Sequence, residues 1–220
     1  DDGVFEECCP SDYDCPEPGS NQCTKDSSFC FSRTDKVTLL DGNHVPISEL
    51  SVGDKVLSWS NGEFTHSVVI FLPHIKNDQE SKFMRFMFQS GRGLKATPSH
   101  IVLAGSCDET EDNLDLIHAE NVSPGQCMRS SSGLDKVISI ESVMDKGVYT
   151  FITNDEFVVV NDIVVSPFAA NHYVANKFYN IHRVLYAWFP SALASYSFHI
   201  RELTFLVGSA AMRLSGYKSH

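Results

Sequence analysis

Val158-Val159-Val160-Asn161-Asp162-Ile163-Val164-Val165-Ser166 is a pair of β-branched runs joined by a two-residue turn signal. β-Branched side chains suit the pleated surface of a strand, and Asn and Asp tolerate the positive φ that tight hairpin turns require. The stretch therefore reads as a hairpin. Working outward, Asp41-Gly42, Asn61-Gly62 and Ser90-Gly91 are further turn dipeptides between β-rich stretches. The strand candidates are Val37-Thr38-Leu39-Leu40, Lys55-Val56-Leu57-Ser58-Trp59, Ser67-Val68-Val69-Ile70-Phe71-Leu72, Phe83-Met84-Arg85-Phe86-Met87-Phe88 and Val137-Ile138-Ser139-Ile140. A mainly β domain of many short strands is expected over residues 30–166.

The period changes after Ser166. Phe178, Ile181, Val184, Leu185 and Trp188 recur at helical spacing, and Pro190 stops the run. A second amphipathic helix is expected within Ser195 to Leu214, where Ile200, Leu203, Leu206 and Val207 oppose Arg201 and Glu202. Neither segment holds an apolar run long enough to span a bilayer, so no transmembrane helix is expected. The amphipathic stretch 177–214 is a candidate for contact with a membrane surface or for capping the β-core.

Residues 1–29 are acidic, rich in Pro and Cys and poor in aliphatics, and form a separate upstream segment with a turn-rich linker at Pro16-Glu17-Pro18-Gly19-Ser20-Asn21. Seven cysteines, with Cys8, Cys9, Cys15 and Cys23 crowded ahead of Cys30, fit a secreted chain in an oxidising compartment. Their odd number leaves at least one thiol unpaired, and the sequence leaves the connectivity open; buried, unpaired thiols at Cys107 and Cys127 are one alternative. The chain starts at Asp1 with no initiator Met and no charged-then-apolar leader. A signal peptide is expected to lie outside it, in a longer precursor. The net charge of -11 leaves no basic stripe for nucleic acid and disfavours anionic membranes. No histidine has ligand-like spacing with cysteines or acids, so neither a metal nor any other cofactor is expected, and the chain is expected to be a monomer.

Chemistry gathers at two places. A thiol at Cys30 can attack the preceding carbonyl, that of Phe29, and convert the Phe29–Cys30 amide into a thioester open to a second nucleophile. The leaving nitrogen needs a proton, which an imidazole supplies near neutral pH. Thr97-Pro98-Ser99-His100 offers that imidazole at His100, with the Thr97 hydroxyl placed to hydrogen-bond and orient the scissile amide. Each residue alone is a weak signal, and Pro98 also favours a plain turn.

Taken with Glu49-Leu50-Ser51-Val52-Gly53-Asp54-Lys55-Val56-Leu57-Ser58, Gly147-Val148-Tyr149 and the hairpin at Val158–Ser166, these motifs resemble the autoprocessing domain of hedgehog proteins, over roughly residues 30 to 165. The Cys-rich start is most similar to the nematode hedgehog-related group of Warthog type. The resemblance implies the hedgehog/intein (Hint) fold, with C-terminal amphipathic helices. It also implies autocatalytic cleavage by an N-to-S acyl shift at Cys30, with the thioester resolved by a sterol, another lipid alcohol, a thiol or water. Residues 167–220 would then correspond to the adduct-recognition segment.

Three positions depart from the hedgehog pattern. Hedgehogs carry an Asp shortly after the strand matching Val68–Leu72, where this chain reads Phe71-Leu72-Pro73-His74. His74 is the replacement candidate as general base, with an ordinary pKa of about 6.5. Pro167 stands where hedgehogs tend to have a cysteine, and Phe29 where they place Gly, so the acyl carbonyl is more crowded. The chain end, Gly216-Tyr217-Lys218-Ser219-His220, lacks the terminal Asn and acceptor that full splicing needs, so cleavage without ligation is expected. The released upstream segment would be a secreted signalling or matrix domain, processed in the secretory pathway. The rival reading is a secreted binding scaffold whose fold has outlived its chemistry.

Overall fold

At the two tightest hairpins, Asn61 (φ 52°) with Gly62 (φ 83°) and Asn161 (φ 49°) with Asp162 (φ 65°) occupy the left-handed region. This conformation matches the twist of the flanking strands, and it is open to few residues besides Gly, Asn and Asp. The computed structural model describes residues 31–72, 80–108, 114–168 and 172–189.

The first strands are β1 (Phe31–Ser32), β2 (Lys36–Thr38), β3 (His44–Pro46), β4 (Lys55–Ser60) and β5 (Glu63–Phe71). Next come β6 (Glu80–Phe88), β7 (Gly93–Ala96), β8 (Ile101–Gly105), β9 (Asp115–His118) and β10 (Cys127–Ser130). They are followed by β11 (Gly133–Lys146), β12 (Val148–Tyr149), β13 (Ile152–Thr153), β14 (Phe157–Val160), β15 (Ile163–Val165) and the helix α1 (His172–Trp188). The expected mainly β architecture is what the chain adopts, and the strand candidates fall on β2, β4, β5, β6 and β11. β11 runs to 14 residues because it pairs first with β10 and then, beyond a bulge after Val137, with β6.

Thirteen strands form one hydrogen-bonded sheet in the order β12-β1-β7-β6-β11-β10-β8-β15-β14-β4-β5-β13, with β9 on the side of β8, while β2 and β3 pair apart. Phe31, Phe86, Phe88, Leu94, Met128 and Phe151 meet in the main core. Each is fully buried, and such burial stabilises by roughly 1.5–3 kcal/mol per side chain.

The described part of the apolar stripe of α1 lies off its docked face. Val184, Leu185 and Trp188 are exposed, Trp188 by 76%. The buried row is His172, Ala175 and Tyr179, which packs with Ile70, Phe71, Ile152 and Phe168. Tyr179 stacks on Phe168, and Arg183 donates from Nε to the Thr153 carbonyl and from a terminal nitrogen to the Asp155 carbonyl. Polar anchoring, which hydrophobic spacing cannot register, chose the face. The side chains of Phe178 and Ile181, and the segment expected to hold a second helix, lie outside the described residues. Among the described residues no helix is long and apolar enough to cross a membrane.

Cys107 and Cys127 are bonded as a disulfide, not buried as free thiols. The bond ties the end of β8 to β10, and closing a loop of separation 20 stabilises by about 3 kcal/mol in the chain-entropy account.

Candidate active site at the start of β1

β1 is held from both sides: Phe31 pairs with Tyr149 of β12 and with Ala96 of β7. The next residue is clamped by two carboxylates. Asp35 Oδ2 accepts the backbone N–H of Ser32 (3.2 Å) and that of Lys95 (3.3 Å), and its Oδ1 accepts Asn161 Nδ2 (2.7 Å). The Ser32 hydroxyl donates to Asp145 Oδ2 at 2.7 Å, and Lys95 Nζ closes an ion pair on the same oxygen. Burial raises the Asp35 carboxyl to about 7 against the opposing pull of Lys95. At Asp145 burial also works upward, but hydrogen bonds from Lys95 and Ser32 outweigh it and hold the carboxyl below its ordinary value.

Thr97-Pro98-Ser99-His100 leaves β7 as a turn closed by His100 N–H on the Thr97 carbonyl at 3.0 Å. Turn and site coincide here, since both Thr97 and His100 are buried. The 3₁₀ turn Ala119–Asn121 fixes them from outside: Ala119 N–H donates to the His100 carbonyl (2.8 Å) and Glu120 N–H to that of Pro98 (2.9 Å). His118 Nδ1 donates to the Ser99 carbonyl at 2.7 Å.

His100 Nε2 lies 2.7 Å from the Ser166 carbonyl oxygen. A carbonyl only accepts, so Nε2 carries the proton and Nδ1 is left with its lone pair. That Nδ1 is buried and has no hydrogen-bond partner among the described residues. An orphaned buried acceptor carries a penalty unless something meets it there. Burial pushes the imidazole down to about 4, only partly offset by the bond to Ser166, with His118 lowering it further.

Beyond Ser166 lies a polar chain that sequence reasoning missed. Ser166 Oγ is 2.8 Å from His172 Nδ1, and His172 Nε2 is 2.8 Å from Glu156 Oε1. His172 is 16 residues from Glu156 and 6 from Ser166, spacings that carry no motif. Asp35 and Asp145 were missed likewise, because Asp145 meets Ser32 across a separation of 113. The structure thus brings Thr97 and His100 together beside β1, whereas Cys30, the Phe29–Cys30 bond at which cleavage is expected and His74 lie outside the described residues. Among those described, no group of three or more His, Cys, Asp or Glu side chains could hold a metal ion.

A multi-stranded β fold with a Thr-x-x-His turn packed on an incoming strand belongs to the class of intein-like autoprocessing domains. The solved structure of a DnaB intein from Synechocystis superposes with a TM-score of 0.52 at 18% identity, covering 63% of this chain and 98% of that one. An intein-like domain from Clostridium thermocellum gives 0.51 at 18%, covering 62% and 97%. The model of the Hint module family matches residues 18–202, and the chain belongs to that family. Among curated relatives, Warthog protein 6 of Caenorhabditis elegans is 29% identical over 142 residues, covering 62% of this chain and 24% of that protein. Protein hedgehog of Drosophila ananassae is 32% identical over 147 residues, covering 64% and 31%. The chain thus spans about a quarter to a third of the length of these relatives.

Proposed function

We propose that the chain cleaves its own backbone at Phe29–Cys30. The observation that carries this reading is the register of Phe31 opposite Ala96 and Tyr149. Antiparallel pairing with β7 and β12 sets the start of β1 beside the strand that leads into the Thr97–His100 turn. The thiol of Cys30 attacks the Phe29 carbonyl carbon. Its proton passes to His100 Nδ1 and then to the departing Cys30 nitrogen as the C–N bond breaks, leaving a thioester and a free amine.

The low pKa of His100 suits the second half of that transfer. An imidazolium that holds its proton only below about 4 is a stronger acid than a free one and gives it up readily to the leaving nitrogen. Thr97 orients the amide, and general acid–base assistance of this kind contributes roughly 10²–10⁴-fold. An external nucleophile then takes the acyl group and returns the Cys30 thiolate. A sterol or other lipid alcohol yields a lipid ester, and a thiol or water yields simple release. His74 serves as base for this second step, residues 167–220 serve in adduct recognition, and the upstream segment leaves as a secreted domain. The Cys107–Cys127 disulfide supports passage through an oxidising compartment.

Intact mass spectrometry of the chain and its Cys30→Ala variant tests the reading. Hydroxylamine is used beside dithiothreitol because it cleaves thioesters without reducing the disulfide. A fragment starting at Cys30, present with both nucleophiles and missing in the variant, is the expected result. Unchanged mass under both conditions would leave the inactive scaffold as the better account.

A further inference from the structure

Ser166 faces two ways: its carbonyl accepts the proton of His100 Nε2, and its hydroxyl meets His172 Nδ1. We infer that Glu156, His172 and Ser166 form a relay, buried at His172 and Ser166, that fixes the His100 tautomer from the start of α1, with His172 as a positioning residue for the proton transfer. This rests on the self-cleaving reading above.

The direction of each bond follows from its partners. Glu156 is a carboxylate and accepts, so His172 Nε2 carries its proton toward Oε1. His172 Nδ1 is then an acceptor and takes the Ser166 hydroxyl proton at 2.8 Å. The freed lone pairs of Ser166 Oγ accept the backbone N–H of Phe168 at 3.0 Å. With donor and acceptor both in use, the Ser166 side chain has one available orientation, and the carbonyl of the same residue is aimed at His100.

The arrangement is built to stay put. His172 is 2% exposed, stacks on Phe157 with centroids 4.6 Å apart and meets Phe168 edge-on. Burial lowers its pKa despite Glu156, while Arg183 works in the same direction as burial, so the neutral ring needed for an Nδ1 acceptor is the resting form. Charged groups on the elements packed against it are Glu156 and Asp155 of the β13–β14 turn and Arg183 of α1 itself. A helix anchored only for stability needs no histidine there, since Phe168 and Tyr179 already supply its apolar contact.

Two readouts test the relay in the 220-residue chain. The first is the His100 tautomer, read from long-range proton–nitrogen imidazole correlations in a Cys30→Ala background where nothing is cut. The second is the hydroxylamine-induced cleavage rate with Cys30 intact. His172→Phe keeps the ring packing and removes both hydrogen bonds, and Ser166→Ala removes the hydroxyl while keeping the carbonyl. Each is expected to mix the His100 tautomers and slow cleavage about tenfold, the rate equivalent of one ordinary hydrogen bond. His172→Gln, with one acceptor and one donor, is expected to recover most of both. Arg183→Gln loosens α1 from Thr153 and Asp155 without removing any hydrogen bond of the relay and should leave the tautomer unchanged. A folded His172→Phe and Ser166→Ala with a single Nε2–H tautomer would overturn the relay. A chain that never cleaves would sink the functional reading instead, while the tautomer arm still decides the relay.

Discussion

The ring of Phe31 meets the His100 imidazole edge-on, with centroids 4.3 Å apart and planes at 60°. The residue next to Cys30 in sequence therefore covers His100, and the desolvation of the imidazole depends on the packing of that ring. Phe31→Ala is expected to cost about 3–5 kcal/mol and to let water reach the imidazole. Denaturant unfolding reads the first effect and an NMR titration of His100 the second. A variant as unstable as expected whose His100 pKa stays near the parental value of about 4 would separate the two roles.

His100 makes stability depend on pH with a definite sign. Its folded pKa, about 4, lies below the ordinary value of 6.5, so between those values the unfolded chain binds the proton and the folded chain resists it. Stability from this group is fully present above about 6.5 and is lost as pH falls toward 4. Urea midpoints measured at intervals across that window should fall less steeply in His100→Gln than in the parent; parallel curves would mean the ring is hydrated in solution.

Asp35 acts in the opposite sense. Its folded pKa, about 7, lies above the ordinary value of 3.8, so the stability it lends is present below 3.8 and lost as pH rises through 7. The two groups pull in opposite directions in the parent chain. Asp35→Asn removes one slope and should make stability rise more clearly with pH from 4 to 7, although it also turns one acceptor for the Ser32 and Lys95 amides into a donor. A flat difference between variant and parent over that range would show an ionised, hydrated Asp35.

The Cys107–Cys127 bond lies apart from the His100 site. The double variant Cys107→Ala/Cys127→Ala should lose about 3 kcal/mol in denaturant and keep the parental rate of hydroxylamine-induced cleavage. A matching loss of cleavage at a temperature where the variant is fully folded would tie the disulfide to the site.

Phe29 stands where the hedgehog pattern has Gly, and under the proposed self-cleavage its bulk is expected to slow attack at the carbonyl. Phe29→Gly is expected to raise the rate of thioester resolution several-fold more for a bulky nucleophile than for hydroxylamine. Equal acceleration for both would assign the effect to the first step.

The parts of the molecule written locally were readable from sequence. Asn61-Gly62 and Asn161-Asp162 announce their turns because few other residues adopt that backbone, and Thr97 and His100 lie within one turn of each other. What escaped reading depends on distant pairing. Glu156 and His172 touch only because β14, β15 and α1 fold back on one another, and Ser32 reaches Asp145 only because β12 pairs with β1. The face of α1 was hidden for a related reason: Arg183 and His172 hold it by polar contacts, leaving Val184 and Trp188 outside a pattern that counts only apolar residues. Spacing likewise could not tell a buried thiol at Cys127 from one half of a bridge.

The acceptor that sets the His100 tautomer is a main-chain oxygen, that of Ser166. A codon change can erase a hydroxyl or a carboxylate, but every amino acid supplies a carbonyl. Random mutation can therefore shift this contact yet cannot delete it, and the proton on Nε2 depends on how well the side chain of residue 166 keeps that carbonyl in place. Sequence drift at that position would degrade the contact gradually, through placement, and an orthologue without the serine would still present the same kind of acceptor to its histidine.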